Sequence, residues 1–116
     1  GNPKMSGIPS RFAHAGQMSF AEFETSIARD AAPPAAAGPA LQALWHEARG
    51  DWERAHRCVQ DDASREGAWV HAYLHRKEGD EANAGYWYAR AGKPPPADGV
   101  PHDEEWTRIA RALAEA

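Results

Sequence analysis

His71 and His75 stand four residues apart, a spacing that on a helix puts both imidazoles on one face, close enough to share a zinc or other transition-metal ion. A zinc protease of the His-Glu-x-x-His kind would carry its general base between them, but that position is Ala72, so the pair lacks the base such hydrolysis needs. A third ligand has to come from another part of the chain, and His46 and His56 are the candidates. One reading is a metal set of His46, His71 and His75. The plainer reading is that His46 and His75 fill equivalent aromatic packing positions. A two-histidine motif without a fixed third partner favours packing, so no metal and no cofactor is expected.

Other reactive side chains give less. Cys58 is the only cysteine, and His56, two residues away, points to another side of the same helix and cannot serve as its base; an inert buried thiol is expected. The acidic groups Asp61-Asp62 and Asp103-Glu104-Glu105 fall at helix ends, where capping and the helix dipole account for them. No Gly-rich phosphate loop, paired-cysteine zinc site or nucleophile elbow occurs. Five tryptophans, Trp45, Trp52, Trp69, Trp87 and Trp106, are expected mostly as core fillers in an alanine-rich helical domain. Trp52 stands out, because it sits beside a helix cap flanked by charges.

Composition narrows the function classes. The chain has 116 residues, enough for one core. Thirteen basic against seventeen acidic side chains leave a net charge of -4, which offers nucleic acid no general attraction. A single cysteine makes no internal disulfide, the apolar runs are too short for a membrane span, and the start lacks a signal-peptide pattern. The expectation is a cytoplasmic protein with no nucleic-acid and no membrane partner.

The elements that position these residues are helices. Alanine is abundant, β-branched residues are scarce, and no stretch alternates apolar with polar. Residues 1–18 read as an irregular arm and 19–116 as one helical domain. Ser19 with Glu22 forms a capping box ahead of Phe20, Phe23 and Ile27, and Pro33-Pro34 ends that first helix. The second helix runs from Pro39 or Ala40 to Arg49, the third from Trp52 to about Gln60, the fourth from about Gly67 to Glu78 and the fifth from Glu81 to Ala91. Gly92 and Pro94-Pro95-Pro96 stop the fifth, and a sixth begins at His102 or Asp103. It is expected to lie across the preceding pair as a cap.

Two of these stretches repeat. With Gly50-Asp51 aligned on Gly79-Asp80, a period of 29, Ala43 pairs with Ala72, Leu44 with Tyr73, His46 with His75, Ala55 with Ala84 and Val59 with Tyr88. Each unit, about 39–60 and 67–92, reads as helix, Gly-Asp turn and helix, with a small residue where the two meet. The second unit resembles a tetratricopeptide repeat: Ala72, Gly79, Ala84, Tyr88, Ala91 and Pro96 fall on that family's signature positions. The first unit matches at Ala43, Gly50, Ala55 and Val59 but departs at Asp62, lacks the closing proline, and has a period shorter than the family's usual 34 or so. Ala84 to Gly92 is also similar to a Sel1-like repeat, and the whole chain resembles a small bacterial protein.

The expected architecture is therefore all-α, two antiparallel tetratricopeptide-like hairpins flanked by an N-terminal and a C-terminal helix. The resemblance implies a non-enzymatic module that binds a protein or peptide, or pairs with itself as a homo-oligomer. It also implies a groove lined by the first helix of each unit, centred on Glu47, Trp69, Tyr73 and Arg76. The rival reading is a small-ligand or metal-binding domain, with an enzyme as one form of it, built from the histidines and adjacent tryptophans.

Overall fold

The computed structural model describes residues 18–115. Six helices follow in order: α1 (Phe20–Arg29), α2 (Pro39–Ala48), α3 (Trp52–Val59), α4 (Arg65–Glu78), α5 (Glu81–Ala91) and α6 (His102–Ala114). No strand occurs among the described residues, so the fold is all-α. The expected N-terminal arm, Met18 apart, lies outside the described residues.

Local chemistry sets most boundaries. The Ser19 hydroxyl accepts from the Glu22 amide at 3.0 Å while the Ser19 amide donates to Glu22 Oε1 at 2.9 Å, a reciprocal cap on α1. Pro39 opens α2, where its missing donor costs nothing. The two Gly-Asp junctions adopt one local conformation. Gly50 and Gly79 are left-handed at φ +86° and +93°, a region closed to most side chains. Asp51 and Asp80 then cap α3 and α5 by accepting from the Arg54 and Asn83 amides. The Asp51 and Asp80 amides donate back to the carbonyls of His46 and His75. Each junction thus fixes the end of one helix and the start of the next within two residues.

One boundary differs from expectation. Helix α4 begins at Arg65 rather than near Gly67, because Ser64 caps it by accepting from the Gly67 amide at 3.0 Å. Gly67 is then forced to lack a side chain, since a Cβ there would stand 2.5 Å from Asp62 Cγ. A Ser-x-x-Gly cap lacks the acidic partner of a capping box and is harder to read in sequence.

Helices α2 and α3 pack together, as do α4 and α5. Phe23, Leu44, Val59, Val70, Tyr73, Leu74 and Ile109 form the centre of the main core, and Ala72, Ala84 and Tyr88 form a smaller cluster between α4 and α5. Helix α6 reaches further than a cap on the last pair: it contacts α1, α2 and α4. Trp106 meets Phe20 and Phe23 at centroid distances of 6.2 and 6.1 Å, and its indole N–H donates to the Leu44 carbonyl at 3.1 Å. The apolar faces of α1 and α2 are thereby closed by the last helix in the chain. Among the described residues no helix is long and apolar enough to cross a membrane.

Candidate metal centre

Three histidines converge where α3 meets α4. His71 and His75 come from successive turns of α4, and His56 comes from α3. One nitrogen of each lies within 4.8 Å of those of the other two, and the His56 and His71 Nε2 atoms are 3.0 Å apart. Ring centroids are separated by 4.6 Å (His56–His71), 4.8 Å (His71–His75) and 5.3 Å (His56–His75). Three imidazoles on one zinc, with nitrogens about 2.1 Å from the ion, hold their centroids roughly 5 Å apart. The rings therefore already stand at about the separation that three imidazoles on one ion adopt.

The fold creates this meeting in steps. The i, i+4 spacing on α4 stacks His71 on His75, with 26° between the ring planes. Ala55, fully buried, brings α3 into the core, and His56 follows it on the adjoining face. Tryptophans then wall the cluster. Trp52 lies parallel to His56, centroid to centroid 5.1 Å, and edge-on to His75 at 6.1 Å; its N–H is spent on the Leu74 carbonyl at 2.9 Å. Trp87 of α5 stacks on His71 at 4.0 Å. Trp52, set apart in sequence by its place at a charged cap, is one wall of the cluster.

Polar partners are asymmetric. His75 Nδ1 lies 2.6 Å from Glu78 Oε2, and since a carboxylate only accepts, Nδ1 carries a proton and Nε2 is the nitrogen that could ligate. A carboxylate behind a histidine fixes its tautomer and raises its basicity as a ligand. His71, 4% exposed, has one nitrogen against His56 and the other, Nδ1, buried with no hydrogen-bond partner. Burial, and repulsion from His56 and His75, pull the His71 pKa down to about 4. Burial and His75 lower His56 as well, against a smaller opposing pull from Glu78. At neutral pH His71 is therefore a neutral imidazole, the charge state in which the ring binds metal.

His46 is not in this group. It stands edge-on to Trp45 at 5.0 Å on α2, with its pKa lowered by burial and by Arg54. The set His46, His71, His75 is thus corrected to His56, His71, His75. The sequence alignment that pairs His46 with His75 does not bring them together: His46 lies on α2 and His75 on α4. Glu78 was legible as an i, i+3 partner of His75. Cys58 is half-buried rather than buried, and burial raises its thiol pKa.

The four groove residues do not form an open surface. Tyr73 is 1% exposed and donates to Glu47 Oε1 at 3.0 Å, and Glu47 is itself buried and paired with Lys77. Arg76 donates to Glu105 Oε1 at 2.9 Å and to the Val100 carbonyl at 2.6 Å. Glu105 of α6, buried, also accepts from the Tyr88 hydroxyl. Desolvation and the neighbouring carboxylates raise both tyrosine pKa values. Helix α6 lies over this side of α2 and α4, leaving a shallow cleft of about 260 Å³ between Glu47, Tyr73, Lys77, Asp103 and Trp106. Trp69 is half-buried elsewhere, under the Lys93 ammonium 4.4 Å from its ring.

Comparison with family models, with curated proteins and with solved structures finds no match to this chain, so the weight of any functional reading falls on the geometry of the three histidines.

Proposed function

We propose that this protein is a helical-hairpin scaffold whose function is to bind a divalent transition-metal ion through His56, His71 and His75. The convergence of the three rings on one point, from two helices, carries the reading. A further feature supports it: Glu78 orients His75 from behind. Imidazole nitrogens suit zinc, copper, nickel and iron in preference to calcium or magnesium. In this reading two antiparallel helical hairpins, α2–α3 and α4–α5, are the frame: the α3–α4 contact sets the ligand spacing and the Gly79-Asp80 junction holds Trp87 over His71.

Calorimetry with zinc chloride on protein free of any histidine tag tests the proposal. One ion per chain with sub-micromolar affinity is expected, with binding abolished in His71→Ala and in His56→Phe. Absence of zinc, copper and nickel binding by the folded protein would refute it.

A protein-interaction role keeps one specific observation. Tyr86 is 55% exposed, beside Trp87 and with the Arg90 guanidinium 5.7 Å over its ring, and an aromatic anchor with a cationic rim is a composition that interfaces favour. On that reading the docking face is the outer side of α5 and not the side facing α6.

A further inference from the structure

The ligand count at the histidine cluster implies more than binding. Resting on the metal-site reading, we infer that the centre is an open one, in which three imidazoles hold the ion and a remaining position takes an exchangeable ligand from solution, of the water and small-anion class. Among the described residues no fourth His, Cys, Asp or Glu joins His56, His71 and His75 at the common spacing. The nearest candidates are committed. Glu78 is engaged by His75 Nδ1, and Asp80 accepts from the Asn83 amide at the start of α5. Structural zinc sites close with four protein ligands, whereas three protein ligands leave a position for solvent or substrate.

Charge favours an anion there. Three neutral imidazoles contribute no negative charge, so a bound divalent ion would keep its full charge beside the indole rings of Trp52 and Trp87. An uncompensated charge against apolar walls is unfavourable. Glu78 and Asp80 are the closest carboxylates, but both are exposed to solvent and are grouped with His75, where water screens them. Size sets the other limit. Trp87 stacked 4.0 Å from His71 and Trp52 5.1 Å from His56 close two sides of the cluster, which restricts a further ligand to a small one. Access is through His56, the half-exposed member of the three.

Cobalt(II) in place of zinc makes the coordination visible. The full chain is loaded with one equivalent of cobalt at fixed neutral pH and titrated with sodium azide, recording the visible d–d bands and the near-ultraviolet charge-transfer region. Saturable band shifts with a new azide-to-cobalt absorption are expected. They should persist in Glu78→Gln at saturating cobalt, although that variant should bind the ion roughly 10–100-fold more weakly through loss of the outer carboxylate. Stoichiometric cobalt binding with a spectrum insensitive to azide would overturn the open-site inference and leave metal binding standing. Failure of cobalt, zinc, copper and nickel alike to bind, or binding retained in a folded His71→Ala variant, would overturn both.

Discussion

Acid should destabilise the metal-free protein through His71, by an amount that can be worked out. Its pKa falls from 6.5 in the unfolded chain to about 4 in the fold, so between these values the unfolded state takes up a proton that the native state refuses. Stability is therefore at its full value above pH 6.5, declines as pH falls, and stops declining below about pH 4. Each pH unit between the two pKa values is worth about 1.4 kcal/mol, which makes the whole effect about 3 kcal/mol and the part lost between roughly pH 7.5 and pH 5 about 2 kcal/mol. The groups that set this are His56 from α3, His75 from α4, and the apolar cover of Trp87 from α5; none supplies a carboxylate to His71. The assay is urea unfolding by circular dichroism at both pH values, with chelator present, on wild type and His71→Gln. Glutamine keeps a polar group in place but does not titrate. Carboxylates common to both proteins cancel, so wild type should lose about 2 kcal/mol more than the variant over this interval. Equal losses in the two proteins would show that His71 is not held neutral by its surroundings, and the account of the cluster's electrostatics would fall.

Three further outcomes follow from packing and backbone geometry. Ala84, 3% exposed between α4 and α5, should not tolerate enlargement: Ala84→Leu is expected to cost about 1–3 kcal/mol by overpacking, read as a lower melting temperature. Glu105→Ala removes the buried acceptor shared by Arg76 and Tyr88, and a loss of roughly 3 kcal/mol in denaturant unfolding is expected from stranding the two donors; Glu105→Gln should recover part of it. Gly79→Ala places a side chain at φ +93°, costing about 1–2 kcal/mol. Because the junction positions α5 and hence Trp87, the same variant should change the tryptophan emission spectrum.

The sequence by itself determined whatever rests on neighbours within a few residues. Ser19 and Glu22 announce the start of α1, the two Gly-Asp pairs announce the junctions, and the prolines after Gly92 announce the end of α5, because caps and left-handed glycines act through backbone groups one to four positions away. The shared helix face of His71 and His75 is of the same kind, fixed by the pitch of a helix. Tertiary structure alone decided which third imidazole joins them. Repeat alignment pairs His46 with His75, but the ring that arrives is His56, because α3 packs on α4 while His46 remains on α2 beside Trp45. It also decided the fate of the groove. Glu47, Tyr73 and Arg76 lie on the face that the repeat pattern assigns to a partner, and α6 covers it by pairing Glu105 with Arg76 and Tyr88. Nothing in the periodicity of α6 names its target, since an amphipathic helix specifies only that one face must be buried and leaves the matching surface to long-range shape and charge.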